Sequence, residues 1–410
     1  MDQMNGNSLA VFNSNDIYPV SADSELPFEQ HRDIFHLTGI DQEETILLLY
    51  PPSKNERTRE ILFIRKSDDH TKVWEGEKLS KEKATNLSGI ENIYFVDEFK
   101  KILNSIAVKV DTFYINKNEH YRANSPVETR EDRFITWLLK NYPAHNVAKS
   151  NPILQRQRSI KHPDEIDQIK IACDITMKGF NRVLKFIKPN VWEYEIEAEF
   201  IHEFINNSSK GFAYSPIIAS GCDNNVLHYI KNNKKCKSGE LILMDVGAEY
   251  GNYSSDMTRT VPVSGKFSKR QKEIYNAVLR VKNEATNLLT VGNNWKIFHE
   301  QVGEIMTKEL LNLGLISKTD VRNETKKNPA YKKYFMHGTS HHLGLDVHDV
   351  GNFYEDVKAG NVFTIEPGIY IKEESLGIRL EDDILVGNNN NINLMEKIPI
   401  QPEEIEDIMN

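Results

Sequence analysis

The sequence predicts an α/β protein of two domains, the second of which consists of two similar halves. At 410 residues, the chain exceeds the usual size of a single domain. Its first part mixes short apolar runs with short helical patterns. The remainder shows the order helix, helix, strand hairpin twice in succession. We place the boundary near residue 158, which gives domains of residues 1–158 and 159–410.

In the first domain, three apolar runs predict buried strands of a mixed α/β domain, and a periodic pattern predicts a helix. The strands are expected at Thr45–Tyr50, Ile61–Ile64 and Thr112–Ile115, and the helix at Arg130–Tyr142. A break is expected at Ser150–Pro152, ahead of the second domain.

In the second domain, apolar residues at helical spacing and two alternating apolar stretches define each half. The first half is expected to contain helices at 163–187 and 193–206 and strands at 240–248 and 253–263. The second half is expected to contain helices at 268–289 and 295–313 and strands at 361–372 and 378–386. The two halves show no sequence identity, so their similarity is inferred from spacing alone.

Charge and composition narrow the class of function. The net charge of -9 argues against nucleic acid or an anionic membrane as the main partner, since both attract basic surfaces. No run of about 18 apolar residues predicts a membrane span, and the N-terminus lacks the pattern of a secretory signal. Cys173, Cys222 and Cys236 are too few and too irregular for a disulfide framework. We therefore expect a cytoplasmic enzyme.

Acidic residues occupy matching places on the two predicted hairpins, one on each strand: Asp245, Asp256, Glu366 and Glu381. Asp245 and Glu366 follow apolar runs, so an ionised carboxylate there needs a partner. Four like charges brought together need a cation. For Asp382 and Asp383, which follow Glu381, we expect a solvated strand face.

Histidines cluster just ahead of the last hairpin, at His337, His341, His342 and His348, and His228 precedes the first hairpin. Carboxylates with an imidazole and no thiolate suit a pair of divalent ions such as manganese, with cobalt or zinc as substitutes. Two such ions can polarise a carbonyl and activate water. The residues alone therefore predict metal-assisted hydrolysis without identifying the bond.

Five segments carry a more specific resemblance: VLHY, DVGAEYGNYSSDMTRT, MHGTSHHLGLDVHDVG, TIEPGIY and GIRLEDDI. They resemble the signature of Xaa-Pro aminopeptidases (aminopeptidase P), in the family that includes prolidase, methionine aminopeptidase and creatinase. The segment SADSELPFEQHRDIFHLTGI resembles the start of the aminopeptidase P and creatinase N-terminal domain. The resemblance implies a pita-bread, pseudo-twofold αββ domain preceded by a smaller, creatinase-like mixed α/β domain.

The resemblance also implies a set of five metal ligands: Asp245, Asp256, His341, Glu366 and Glu381. Asp256 and Glu381 are expected to bridge two ions, Asp245 to bind one of them, and His341 with Glu366 to bind the other. Hydroxide is expected to attack the scissile carbonyl, with Glu366 as general base.

Further roles follow from the resemblance. His348 and His228 are expected to hydrogen-bond the substrate and the developing oxyanion. His337 is expected to form a wall of the proline-side pocket, with a supporting imidazole as the alternative. Arg379 lies on the same strand face as Glu381 and is expected to orient carboxylates, with a plain ion pair as an equal alternative. His342 stands where an aromatic such as Trp is common, which leaves its substrate contact open.

The predicted activity is release of the first residue from Xaa-Pro-Yaa peptides by a homodimer or homotetramer. The nearest alternative is prolidase, which cleaves only Xaa-Pro dipeptides. The Gly-Thr-Ser-His run favours the aminopeptidase by a modest margin. A binding module that has lost its metal, and a metal-free creatinase-like hydrolase, are both disfavoured by the intact ligand set.

Overall fold

A computed structural model describes residues 1–120, 122–123, 125–352 and 355–410 of the chain. The chain divides into two compact units, Met1–Arg156 and Gln157–Asn410. No helix within the described residues is long and apolar enough to cross a membrane.

The first unit contains eight described strands and six helices, the last of which runs past residue 156. The strands are β1 (Ser8–Asn13), β2 (Pro19–Ser21), β3 (Ser24–Glu25), β4 (Ile46–Leu49), β5 (Glu60–Ile64), β6 (Asn92–Phe95), β7 (Thr112–Ile115) and β8 (Asn146–Lys149). The helices are α1 (Arg32–Thr38), α2 (Asp69–Glu75), α3 (Lys81–Ser88), α4 (Phe99–Ala107), α5 (Arg130–Asn141) and α6 (Asn151–Ser159).

Six of these strands form one sheet in the order β6-β5-β4-β1-β7-β8. Strand β4 is antiparallel to both neighbours, and the other pairs are parallel. Alternate residues of β1 face opposite sides of the sheet. Leu9 and Val11 join a core that includes Leu103 of α4 and Leu138 of α5. The other face packs against α1, α3 and α6, so this unit is a mixed sheet between two helical layers.

The three predicted strands and the predicted helix of this unit are confirmed as β4, β5, β7 and α5. The break predicted at Ser150–Pro152 is wrong, because α6 begins there. The amides of Ile153 and Leu154 donate to the carbonyl of Ser150. Pro152 lies in the first turn, where its missing N–H costs no hydrogen bond.

The second unit contains the doubled pattern. Its helices are α7 (Pro163–Phe186), α8 (Glu193–Asn206), α9 (Lys269–Leu288), α10 (Trp295–Asn312), α11 (Lys318–Arg322) and α12 (Pro402–Met409). Its strands are β9 (Gly211–Phe212), β10 (Ile217–Ser220), β11 (Leu241–Val246), β12 (Ala248–Tyr250), β13 (Tyr253–Ser254), β14 (Met257–Pro262), β15 (Val362–Ile365), β16 (Gly368–Ile371), β17 (Leu376–Arg379), β18 (Asp382–Leu385) and β19 (Ile392–Asn393).

Each half places a long helix pair ahead of its strands. In the first half, α7 packs on α8, and β11 pairs with β14 across the hairpin. In the second half, α9 packs on α10, β15 pairs with β18, and β16 pairs with β17. The four predicted helices and both hairpins are therefore confirmed, and each predicted long strand is divided into two shorter ones.

Candidate metal centre

The first hairpin brings Asp245 and Asp256 to the same place. Asp245 lies in β11 and pairs with Thr258 of β14, and Asp256 immediately precedes β14. A Cβ atom on Gly247 would lie 1.8 Å from the carbonyl oxygen of Ser255. Residue 247 must therefore be glycine for the two acidic segments to approach this closely.

The second hairpin delivers Glu366 and Glu381 to the same region. Glu366 follows β15, and Glu381 lies between β17 and β18. The amide of Glu381 donates to the carbonyl of Thr258 over 3.0 Å. The Thr258 hydroxyl donates to Glu381 Oε2 over 2.6 Å. This pair of contacts joins the two halves of the unit at the acidic residues.

His341 is fixed in both position and orientation. Its amide donates to Thr364 Oγ1 over 3.1 Å, and its carbonyl accepts from the Thr364 amide over 3.0 Å. Its Nδ1 lies 2.9 Å from the carbonyl oxygen of His342, which assigns the proton to Nδ1. Nε2 lies 3.4 Å from Asp256 Oδ2 and 3.8 Å from Glu366 Oε1. A lone pair on Nε2 is therefore available to a metal ion.

Three of the five predicted ligands form a tight buried group. One ligand atom each from Asp256, His341 and Glu381 lies within 4.8 Å of the others. Asp245 is joined to Asp256 through the Tyr214 hydroxyl, which lies 2.6 Å from a carboxylate oxygen of each. The structure thus brings all five predicted ligands together at the junction of the two hairpins.

The carboxylates repel one another in a buried site. Burial raises the pKa of Glu381 well above its usual range, and the charges of Asp256, Glu366 and Asp245 raise it further. Burial likewise raises the pKa of Asp245, although the Arg379 guanidinium opposes the shift. Burial raises the pKa of Glu366 to about 7, against the charges of His341 and Arg379. Keeping these groups ionised therefore requires added positive charge.

Burial alone would lower the pKa of His341, but the hydrogen bond to Asp256 and the charge of Glu366 raise it. A divalent cation would supply the same positive charge without a proton. Carboxylate oxygens and one imidazole nitrogen are donors that manganese, cobalt and zinc accept. The donor set and its electrostatics therefore fit a divalent metal.

Three of the remaining predicted residues lie around this group. The His348 ring meets the His341 ring edge to face, with centroids 4.3 Å apart. His337 Nδ1 lies 3.5 Å from Glu366 Oε2, and His337 Nε2 lies 2.8 Å from the Tyr370 hydroxyl. Burial, reinforced by the Arg379 charge, lowers the pKa of His337 to about 3, so this imidazole is neutral.

Arg379 is 4% exposed and makes three contacts. Its Nη2 donates to Asp245 Oδ2 over 2.5 Å, its Nη1 to the Tyr370 hydroxyl over 2.9 Å, and its Nε to Thr258 Oγ1 over 3.1 Å. It therefore fixes the orientation of Asp245. His228 is exposed, and among the described residues no hydrogen bond or ring contact joins it to the five.

A model of metallopeptidase family M24 matches residues 167–388. The chain belongs to metallopeptidase family M24. A model of the aminopeptidase P N-terminal domain matches residues 1–114. This M24 chain therefore has the predicted two-domain architecture, with a pita-bread domain after the N-terminal domain.

Relatives of the M24 chain match along its whole length. It is 34% identical to a Xaa-Pro aminopeptidase of Haemophilus influenzae, over 100% of this chain and 94% of the relative. It is 33% identical to a Xaa-Pro aminopeptidase of Escherichia coli, over 100% of this chain and 95% of the relative. A zinc-substituted aminopeptidase P of Escherichia coli in complex with product superimposes with a TM-score of 0.88 at 31% identity, over 99% of this chain and 95% of that one. The predicted family resemblance is confirmed.

The prediction of a solvated face at Asp382 and Asp383 is wrong for this M24 domain. Both are buried, at 1% and 0% exposure. Asp382 accepts from Arg259 Nη2 over 2.6 Å and forms an ion pair with Lys282. Asp383 accepts from the Asp256 amide over 3.0 Å. The reason is that β18 lies between β15 and β19, and distant segments supply cationic partners to Asp382.

The His342 ring is 5% exposed and packs against other aromatic side chains. Its centroid lies 4.3 Å from that of Phe363, and it stacks on Trp295 with an interplanar angle of 10°. Successive residues of an extended segment point in opposite directions, which places this ring away from that of His341.

Sequence reasoning missed Tyr214 and Thr258, which both hydrogen-bond to predicted ligands. Thr258 follows Asp256 by two positions, so strand alternation offered a signal for it. Tyr214 stands 31 residues from Asp245 and 42 from Asp256, outside any periodic pattern. Only the folded structure reveals its position.

Proposed function

We propose that this chain is a metal-dependent aminopeptidase that releases the first residue from peptides with proline in the second position. The observation that carries the proposal is that five residues of the required types meet in one place, where Asp256, His341 and Glu381 are buried and Asp245 and Glu366 are half-buried. They do so in a chain that matches Xaa-Pro aminopeptidases from end to end.

We propose that the centre holds two divalent ions, with manganese as the cellular metal and cobalt or zinc as substitutes. Asp256 and Glu381 would contact both ions. Asp245 would bind one ion, and His341 with Glu366 would bind the other. The carboxylates repel one another, and the single imidazolium of His341 cannot balance all of their negative charge. Two divalent cations would balance it, which supports this assignment. When bound, the ions would polarise the scissile carbonyl and activate water.

The chain's own residues would carry the proton transfers. Glu366 would accept a proton from the attacking water and later return that proton to the leaving proline nitrogen. His348, in contact with the His341 ring, would donate to the developing oxyanion. His228 would donate from the exposed side of the site.

Two further residues would shape the substrate pocket. His337 is neutral and held by the Tyr370 hydroxyl, which suits a wall against the uncharged proline ring. Arg379 would orient Asp245 for metal binding.

We also propose that the domains span residues 1–158 and 159–410, that the chain forms a homodimer or homotetramer, and that it is located in the cytoplasm. The three cysteines, all of them free thiols, support a reducing compartment.

The test is a cleavage panel analysed by mass spectrometry: Xaa-Pro dipeptides, Xaa-Pro-Yaa peptides, matched Xaa-Ala-Yaa peptides and Met-Ala peptides. We expect release of the first residue from Xaa-Pro-Yaa peptides, and a large loss of kcat/KM when alanine replaces proline. Proline fixes φ near -65° and has no N–H, so a fitted pocket gains from the preorganised ring. Cleavage confined to dipeptides would indicate a prolidase, and preferred cleavage after methionine would overturn the proline assignment.

A further inference from the structure

An ion cluster, buried except for Asp346, adjoins the metal centre on its histidine side. The cluster consists of Arg158 and Lys161, which precede α7, and of Asp346 and Asp349, which flank His348. Arg158 Nη2 donates to Asp346 Oδ2 over 2.8 Å and to Asp349 Oδ1 over 2.5 Å. Lys161 Nζ donates to Asp349 Oδ2 over 2.9 Å. Two cations thus meet two anions.

The central pair of this ion cluster is almost inaccessible to water. The side chains of Lys161 and Asp349 are each 1% exposed, and that of Arg158 is 3% exposed. The cations hold the pKa of Asp349 well below its usual range, against the effect of burial. Removing one member would leave an uncompensated buried charge, which is strongly destabilising.

The neighbouring backbone is built around the Asp349 carboxylate. A Cβ atom on Gly344 would lie 2.2 Å from Asp349 Oδ2, so only glycine leaves room for it. Asp349 Oδ1 accepts from the Val350 amide over 2.9 Å, and the Asp349 amide donates to the His342 carbonyl over 2.9 Å. The segment between Gly344 and Asp349 forms neither helix nor strand. Contacts to the Asp349 side chain therefore add to the few backbone hydrogen bonds that fix its shape.

His348 is carried by this segment, one residue before Asp349. Its ring stands at 89° to the His341 ring, with centroids 4.3 Å apart. Lys161 is held in turn, because its amide donates to the Gly360 carbonyl over 2.8 Å and its Nζ to the Arg158 carbonyl over 2.8 Å. Lys161, which precedes α7, is therefore connected to His348 through Asp349, the next residue in the chain.

We propose that Lys161 and Arg158 are positioning residues for the reaction, which act through Asp349 to hold the His348 imidazole beside the metal ligands. The proposal rests on the proposed function, in which His348 contacts the substrate. A displacement of about 1 Å at a reacting group can cost about a hundredfold in rate. The ion cluster would supply that precision to an otherwise irregular segment.

The test compares Lys161→Met with Lys161→Arg, which keeps the charge, in the full chain loaded with manganese. For Lys161→Met, we expect kcat on a Xaa-Pro-Yaa peptide to fall by about tenfold to a hundredfold, while KM changes by less than about threefold. Metal content should match that of the unaltered protein. Lys161→Arg should restore most of kcat.

A double mutant separates positioning from general damage. If Lys161 acts through His348, adding Lys161→Met to His348→Ala should lower kcat no further. An equal fold loss in both backgrounds would overturn the proposal. Arg280→Met is the matched control, because it breaks a paired contact between α9 and α10, in which Arg280 donates to Glu309 over 3.0 and 2.6 Å. It should leave kcat unchanged.

A second readout is independent of turnover. In metal-free protein with labelled histidine, the His348 imidazole signal, assigned by its loss in His348→Ala, should shift or broaden in Lys161→Met and not in Arg280→Met. An unchanged signal would overturn the proposal. If the unaltered protein failed to cleave Xaa-Pro peptides, the proposed function would fail, and this signal would still test the positioning role.

A variant that lacks both charges covers the case in which Lys161→Met does not fold. Lys161→Met with Asp349→Asn removes one cation and one anion, so no net charge is left buried. We expect this variant to fold with lowered kcat and a displaced His348 signal. Recovery of full kcat and of the native signal would show that charge balance, not anchoring, matters, and would overturn the proposal.

Discussion

In the metal-free protein, the Glu366 carboxyl of the metal centre binds and releases a proton, and the substitution Glu366→Gln removes this titration. In the metal-free protein, burial raises the pKa of this carboxyl from 4.5 to about 7. The folded state therefore binds a proton that the unfolded state releases between these two values. We expect metal-free protein with Glu366→Gln, which mimics the neutral acid, to become progressively more stable than the unaltered protein as pH rises.

The size of the effect follows from linkage. A folded pKa above the unfolded value contributes stability at low pH that is lost as pH rises through the folded pKa. At 1.36 kcal/mol per pKa unit, the full shift corresponds to roughly 3 kcal/mol. Between pH 5 and pH 8 the contribution of Glu366 to the free energy of unfolding should change by roughly 2–3 kcal/mol, which is about 5 °C in Tm for a unit of this size.

The assay is the difference in Tm between Glu366→Gln and the unaltered protein in chelator, measured at pH 5, 6, 7 and 8. Taking the difference cancels the titration of the histidines that lie away from Glu366. Glu309→Gln is the control, since it breaks the ion pair with Arg280 and should lower Tm without a gain at high pH. A Glu366→Gln difference that stays flat or falls with pH would refute the assignment of a repulsive, metal-requiring site.

Four more predictions test the chemistry. Chelator should abolish activity and manganese should restore it. Asp256→Asn or Glu381→Gln should lose at least one ion and nearly all turnover, measured by elemental analysis and initial rates, and a fully active Glu381→Gln protein would contradict the ligand set. His348→Ala should keep its metal while kcat falls by about 10²–10³-fold, and loss of metal along with kcat would instead make His348 a ligand or a scaffold residue. Acetylation of the peptide's α-amino group should stop cleavage, as followed by mass spectrometry, because the free amine would be held by the carboxylates and metal; rapid turnover of the blocked peptide would exclude that anchor.

The order of elements was predictable because its signals are local. The helices at Pro163–Phe186 and Lys269–Leu288 carry apolar residues at helical spacing, and capping residues mark their starts. Strand β8 was not predictable, because its residues are mostly exposed and form no apolar run. Strand β1 is fully buried and contains an apolar run, Leu9–Phe12. This run is typical of a buried strand, but no strand was predicted there.

Residue type and motif spacing were sufficient to predict the candidate metal ligands of the site. The four acidic ligands were candidates because they stand at matching places on the two hairpins, and the family resemblance selected His341 from the histidine cluster. The burial and ion pairing of Asp382 could not be predicted, since its partner Arg259 lies 123 residues away in the sequence. Nothing in the local sequence distinguishes an acidic residue with an ion-pair partner from one that is solvated. The same holds for Asp349, whose partner Lys161 lies 188 residues away. Long-range pairing therefore limits what the sequence shows about this site.

The most direct measurement is anomalous diffraction from crystals of the active protein loaded with manganese. We predict two anomalous peaks per chain, roughly 3.5–4 Å apart. Asp256 and Glu381 should contact both peaks, Asp245 one of them, and His341 with Glu366 the other. A single peak in fully active protein, or peaks that lie away from these five side chains, would contradict it.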